Sequence, residues 1–334
     1  MGNCQIIFTD KRKVEIQDSP MPNMAENQVL IETEFTLIST GTELSVLSGQ
    51  APADSVWSRL FSFPYAAGYT NLGKIIACGG NVSPELLGKR VVGNGFHAQY
   101  VATDLCEIRT VPEHIHNDNA LFFNLAEIGM HGVRKSGIRW GDSVAIFGAG
   151  IIGQLCAQFC LMCGSRKVFV IDISDFRISL LPKHARLTGI NPSRQDIADT
   201  VRTHNHGRMV DIVYELTGNP ELITSEFDIL REEGTMVFVS SPLGPTWFDF
   251  HDLCNRTSVK IVGAHNFSHP KHETADNPWT NQRDCEFFFE MVQNKDIDMS
   301  NMISHRIPFA EAPAIYAALL ENRGRFMGVV LEWK

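Results

Sequence analysis

The sequence predicts an α/β chain of two domains, an antiparallel, barrel-like β domain followed by a doubly wound parallel sheet. Three observations carry that prediction. Short strand-like runs separated by Gly, Pro and Asn turns fill the first third, strands and helices alternate from about residue 117, and a glycine loop joins one of those strands to a helix. At 334 residues the chain is long for a single core, so two domains of ordinary size are expected.

In the first third the strand candidates are Val29 to Phe35, Gly73 to Ala77 and Arg90 to Val92, whose spacing suits an antiparallel β domain over residues 1–116. Over residues 117–266 the candidates are Ser143 to Phe147, Lys167 to Ile171, Asp211 to Glu215, Thr235 to Val239 and Val259 to Gly263, separated by helical runs. Such alternation implies a parallel sheet covered on both faces. The tail is mixed, with a helix around Asp284 to Val292, an extended Ile303 to Ile307 and a last strand at Phe326 to Leu331, so residues 267–334 are expected to complete the β domain.

Composition excludes several functions. The chain is 44% hydrophobic and 20% charged, as for a packed globular protein. Its net charge of −9, with no basic patch, argues against nucleic-acid binding and leaves a small-molecule substrate as the expected partner. No apolar run approaches the roughly 20 residues of a membrane span. The opening residues read as a strand and lack the regions of a secretory leader, so a cytoplasmic location is expected. Cys156, Cys160 and Cys163 would share one helix face, but core packing against the sheet is favoured over metal binding. The other cysteines are scattered and suggest no disulfide framework.

The glycine loop is Gly148-Ala149-Gly150-Ile151-Ile152-Gly153, after the strand Val144 to Phe147 and before a helical run from Ile152 to Cys163. In that setting the G-x-G-x-x-G spacing is a dinucleotide fingerprint. Gly148 permits the tight turn, Gly150 lets backbone approach a pyrophosphate, and Gly153 allows close helix-to-strand packing at a helix N-terminus that favours phosphate charge. Gly148, Gly150, Ile152 and Gly153 are therefore the expected cofactor loop of a Rossmann unit. The next strand ends in Asp172, placed to accept both adenosine ribose hydroxyls and to repel a 2'-phosphate, which favours NAD over NADP. Arg177, five residues on, could instead pair with a 2'-phosphate. Thr217 and Gly218 follow the next strand at the carboxyl edge of the sheet and are expected to line the cofactor cleft. Ser240 and His265 end later strands on the same edge and are weaker candidates.

Further motifs give the chain a resemblance over essentially its full length. Thr40-Gly41-Thr42-Glu43, Ala67-Gly68-Tyr69-Thr70, Gly95-Phe96-His97-Ala98-Gln99-Tyr100 and the closing Ile303 to Phe309 followed by Glu311-Ala312 appear in order. With them the chain resembles the medium-chain dehydrogenase/reductase superfamily of the zinc alcohol and polyol dehydrogenase type. The resemblance implies a GroES-like catalytic domain split around the Rossmann domain, and a dimer or tetramer. It also shows departures. The family's zinc-ligand cysteine is matched by Thr40, its ligand histidine by Tyr69 and its adjacent glutamate by Thr70, while the third ligand falls at Phe123 or Asn124. The four-cysteine lobe of a structural zinc is absent as well, so no zinc is expected. The Ser39 to Glu43 segment with Gly68-Tyr69 is similar to a zinc-free branch represented by bacteriochlorophyllide dehydrogenase.

The resemblance implies hydride transfer between nicotinamide and an alcohol or carbonyl, with another acid or base in place of the metal. Thr42 is expected to hydrogen-bond the substrate oxygen and Tyr69 to donate a phenolic proton or to fill the vacated space. Glu43 is expected to orient Thr42 or to serve structurally, and His97 to be a cleft histidine or a structural one. His265, His269 and His272 resemble a metal cluster on paper, but Pro270 between them breaks any helical register, and a loop is preferred. Two alternatives stay open. One is an NAD(P)H-dependent enone or quinone reductase, and the other is a dinucleotide-binding sensor or structural protein without catalysis.

Overall fold

The computed structural model describes residues 2–334 and divides into two compact units, one made of the residues up to Asn124 together with Ile303–Lys334, the other of Leu125–Met302. In the first unit Gly2–Asp10 pairs antiparallel with Lys13–Pro20 and with Tyr65–Ala66. A seven-stranded sheet runs Ile303–Pro308, Gly328–Glu332, Gln28–Leu37, Asn71–Cys78, Arg90–Gly93 and Ile108–Thr110, with Tyr100–Asp104 also on Gln28–Leu37. All its pairings are antiparallel except that between the first two strands. Val29, Ile31 and Thr33 point one face of the strand Gln28–Leu37 into packing by the period of two that β structure imposes, and Val29 and Ile31 are fully buried with Ile75 and Val91. A second core gathers Ile6, Phe8, Leu47, Val329 and Trp333 around Tyr316 of the helix Ala312–Asn322.

The second unit is a six-stranded parallel sheet in the order Leu187–Ile190, Lys167–Ile171, Ser143–Phe147, Val210–Glu215, Leu230–Phe238, Lys260–Gly263. Every residue of Ser143–Phe147 is buried, as a central strand covered on both faces requires. Strand order reverses beside it, which places a topological switch point at the glycine loop. The helix Ile151–Met162 follows, and Cys156 and Cys160 are buried within it, Cys156 Sγ facing the Gly129 carbonyl at 3.7 Å, while Cys163 is exposed. Burial pushes the Cys156 thiol up to about 12, so it behaves as a small hydrophobe. No helix among the described residues is long and apolar enough to cross a membrane.

The division differs from the expected one at both ends of the Rossmann segment. Residues 117–124 go with the β unit, where Asn117 Oδ1 accepts from Arg90 at 2.8 Å. Residues 267–302 go with the parallel-sheet unit, although the tail was expected to rejoin the β domain from 267. Side-chain bonds explain the placement. Asp284, on the helix Asn281–Asn294, accepts from Arg134 at 2.7 Å, and Gln158 exchanges two bonds with the backbone of Asp298, at 3.0 and 2.6 Å. The edge strand Leu187–Ile190 was not anticipated. It is short, only its last residue is fully buried, and its Gly189 reads as a turn residue until Ile178 is seen packed against it.

Candidate functional site

The carboxyl edge of the parallel sheet carries the expected glycine loop. Gly148 takes φ +108° where the strand turns away, and its N–H donates to the Ile171 carbonyl at 2.8 Å. Gly150 caps the helix Ile151–Met162 with no side chain over the exposed amides. A Cβ on Gly150 would find only the Arg177 guanidinium, at 3.9 Å, so the space in front of the helix N-terminus is open to a phosphate. A Cβ on Gly153 would lie 1.8 Å from the Gly148 carbonyl oxygen, and only glycine permits that crossing. Ile152 follows in the first turn of the same helix.

Asp172 stands at the end of its strand. Its carboxyl accepts the N–H of Ala149 and of Ser174, each at 2.8 Å, so it ties the glycine loop to the next turn. Ser174 caps the short helix Asp175–Ser179 through the Arg177 N–H, which brings the Arg177 guanidinium to 4.0 Å from Asp172. The Thr217–Gly218 turn hangs on one buried carboxyl. Glu215 accepts from the Thr217 N–H at 2.7 Å, the Thr217 hydroxyl at 2.6 Å and the Gly218 N–H at 2.9 Å, and from the Ser240 hydroxyl on its other oxygen. Ser240 thus reaches the same cluster as Thr217, while Glu215, read from the sequence only as a strand end, organises it. The signal was its place at the last buried position of the strand. His265 accepts the Phe267 N–H at 3.2 Å and caps the turn Asn266–Ser268. His269 is buried, bonded to Asn266 and Asp284 and stacked on His131 at 4.1 Å. Among the described residues no group of three or more His, Cys, Asp or Glu is arranged to hold a metal ion.

In the β unit the expected catalytic residues meet around Glu43, which is fully buried. The helix Thr42–Ser48 starts at Gly41, and Glu43 reaches back so that its Oε1 accepts the Ser39 backbone N–H at 2.7 Å. Its Oε2 meets His97 Nε2 at 3.1 Å and accepts from the Tyr316 hydroxyl. Of the two readings left open for each of these residues, the geometry matches the structural one. Glu43 fixes Ser39 rather than Thr42, because its side chain turns back over the helix start and not along it. His97 is 0% exposed and does not line a cleft. Its ring is packed against Gly68, where φ is +89° and a Cβ would come within 2.6 Å of the imidazole.

The Tyr69 hydroxyl lies 2.5 Å from Ser39 Oγ. Burial raises the phenol above its ordinary value, hydrogen bonding from Ser39 and Thr42 opposes the rise, and Glu43 adds to it. The phenol therefore stays protonated near neutrality. Ser39 and Tyr316 were not among the expected residues. Ser39 could have been found as the partner of a glutamate four residues on at a helix start. Tyr316 has no local signal, since 273 residues separate it from Glu43. Asn124 donates to Asn94 Oδ1 at 2.6 Å, and Thr70 is buried beside Tyr69.

The zinc-binding dehydrogenase family matches residues 152–279. The D-guloside 3-dehydrogenase of Shigella flexneri is 27% identical over 318 residues, covering 89% of this chain and 90% of that protein. An Escherichia coli short chain alcohol dehydrogenase solved with NADH superposes with a TM-score of 0.83 at 14% identity over 99% of both chains. A Sinorhizobium meliloti protein of the zinc-binding dehydrogenase kind, bound to NADP, gives 0.81 at 19% identity over 100% of both chains. This fold, the glycine loop and similarity along 89% of the chain mark an oxidoreductase of the medium-chain dehydrogenase/reductase type.

Proposed function

We propose that this protein is a zinc-independent, NAD(H)-dependent oxidoreductase acting on an alcohol or carbonyl substrate. The observation that carries the reading is the Ser39–Tyr69 hydroxyl pair at 2.5 Å, which occupies the place where the superfamily resemblance puts a zinc ligand. Thr40, Tyr69, Thr70 and Asn124 offer hydroxyls and an amide, whereas catalytic zinc is held by thiolate, imidazole and carboxylate. This donor set does not fit the metal.

The space over Gly150, met only by the Arg177 guanidinium at 3.9 Å, and the close approach at Gly153 fit a nicotinamide dinucleotide. Bound there, it would supply or accept the hydride. Gly148, Gly150, Ile152 and Gly153 would hold its pyrophosphate and Asp172 its adenosine ribose. Thr217 and Gly218, set by Glu215, would line its cleft. Relatives have been solved with NADH and with NADP, so the preference for NAD rests on the Asp172 carboxylate. Sugar alcohols and glycosides are the first substrates to try, before aromatic alcohols, a choice supported by similarity to a D-guloside 3-dehydrogenase.

The test is metal content measured on the same sample as dehydrogenase activity across that panel. Turnover with substoichiometric zinc, unaffected by chelator, is expected; stoichiometric zinc whose removal stops turnover would sink the proposal. A separate measurement addresses the cofactor. Asp172→Gly removes the ribose acceptor and the bond to Ala149, and NAD affinity is expected to fall about 10-fold or more, the equivalent of ~1.4 kcal/mol. NADP affinity should fall less or rise, and an unchanged NAD/NADP ratio would show that Asp172 does not select the cofactor.

A further inference from the structure

Tyr316 enters the β unit's polar cluster from the C-terminal helix Ala312–Asn322. It is fully buried, its ring packs edge-on against Phe8 at 5.1 Å, and its hydroxyl donates to Glu43 Oε2. With His97 on the same oxygen and the Ser39 N–H on the other, the carboxyl is held by its own helix start and by two segments distant in sequence. Burying a carboxyl, an imidazole and a phenol together is costly unless bonds are made; both Glu43 oxygens are bonded, which fixes the carboxyl, while His97 Nδ1 has no partner among the described residues. Among the residues bonded to that carboxyl, Ser39 leads to a reactive group. Its hydroxyl faces the Tyr69 hydroxyl at 2.5 Å and its main chain is pinned by Glu43.

We propose that Ser39 and Tyr69 act together as the proton-donor pair of the hydride-transfer reaction inferred above, on which this proposal rests, and that Tyr316 is a positioning residue that holds the pair through Glu43. In the reducing direction Tyr69 gives its phenolic proton to the substrate carbonyl oxygen as the carbonyl carbon receives hydride, so the phenol O–H bond breaks and an alcohol O–H forms. In the same shift Ser39 passes its hydroxyl proton to the Tyr69 oxygen and takes one from water, leaving hydroxide to the solvent. Oxidation reverses each transfer. The serine hydroxyl both donates and accepts, which a relay needs. Ser39 also draws the buried phenol back toward its ordinary acidity, against the effect of burial.

The decisive experiment follows the Tyr69 phenol directly, by ultraviolet difference titration of the full chain against Tyr69→Phe. This readout needs no substrate. Ser39→Ala is expected to raise the Tyr69 midpoint, Ser39→Thr to restore it, and Tyr316→Phe to raise it with the fold intact by circular dichroism. In turnover, Ser39→Ala and Tyr316→Phe should each lower kcat about 10-fold or more and displace the alkaline limb of the kcat profile. KM and the dinucleotide Kd should stay as in the wild type, and Ser39→Thr should recover most of the rate. A folded Ser39→Ala protein with an unshifted midpoint would overturn the pair while leaving the hydride-transfer reading intact. A shifted midpoint in a protein that transfers no hydride to any substrate would overturn that reading and, with it, the catalytic use of the pair. A Tyr316→Phe protein with wild-type kcat and pH profile would remove Tyr316 from the positioning role.

Discussion

Gly153→Ala is expected to abolish dinucleotide binding and to lower the stability of the parallel-sheet unit. The new methyl carbon would start 1.8 Å from the Gly148 carbonyl oxygen, a backbone atom at the end of the central strand. Van der Waals contact would require the helix Ile151–Met162 and the strand Ser143–Phe147 to separate by more than 1 Å on the basis of ordinary contact distances, ~3.5 Å. Both elements are packed into one core, so the expected cost is about 1–3 kcal/mol or more. The displaced helix N-terminus would also lose its aim at the phosphates, and NADH affinity should fall at least ~100-fold, about 2.7 kcal/mol. Gly150→Ala is the informative contrast. Its Cβ meets nothing closer than Arg177 at 3.9 Å, so melting should stay near wild type while the methyl still obstructs the pyrophosphate. NADH fluorescence titration with thermal melting separates the two, and equal melting losses would show that the helix-to-strand crossing is not what Gly153 protects.

Glu226→Gln should stabilise the protein increasingly as pH rises. Glu226 is fully buried and neither of its carboxyl oxygens has a hydrogen-bond partner among the described residues. Burial first, and the nearby Glu215 second, push its carboxyl from 4.5 to about 9. The sign follows from proton counts. Between pH 4.5 and about 9 the folded chain keeps the proton that the unfolded chain has released, so stability declines as pH rises across that window, at ~1.4 kcal/mol per unit. The penalty is absent below pH 4.5 and amounts to about 3 kcal/mol at pH 7. Glutamine carries no titrating proton and removes the slope, although its buried amide lacks partners too, and a net gain of roughly 1–3 kcal/mol near pH 7–8 is expected. Urea unfolding at pH 5, 7 and 8.5 reads the effect. Parallel stability curves for the two proteins would mean that Glu226 does not hold its proton. The neutral acid has a consequence for the site, because Glu215 accepts the four donors that shape the Thr217–Gly218 turn without a second buried negative charge beside it.

The parts of the molecule legible in the sequence are those written in short-range periodicity. The parallel strands appear as compact apolar runs because both faces are covered, and the glycine loop appears because its spacing is set by local backbone geometry. Asp172 was readable for the same reason, at a fixed distance along one strand and turn. The unit boundary was less legible. Residues 267–302 look like the mixed tail they adjoin, and only Asp284 with Arg134, and Asp298 with Gln158, assign them to the parallel sheet. The strand Leu187–Ile190 was hidden by Gly189 and by an edge position with little burial pattern to read.

The chemistry of the β unit divides along the same line. From residue types alone, Thr40, Tyr69 and Thr70 were read as departures from the family's zinc ligands, and Thr42, Glu43 and His97 were marked as polar residues in family positions. What each does depended on side-chain direction. Glu43 turns back to the Ser39 N–H, His97 closes onto Glu43 beside a glycine that leaves room for its ring, and Tyr69 finds Ser39. Tyr316 completes the arrangement from the far end of the chain. The sequence by itself determined the two-domain α/β architecture, the glycine loop between strand and helix and the kinship, because strands and turns follow from neighbours within about 20 residues. The tertiary structure alone decided which hydroxyl pairs with Tyr69 and which groups hold Glu43. Those bonds join residues brought together by packing, and a buried polar group takes the partner that the fold delivers.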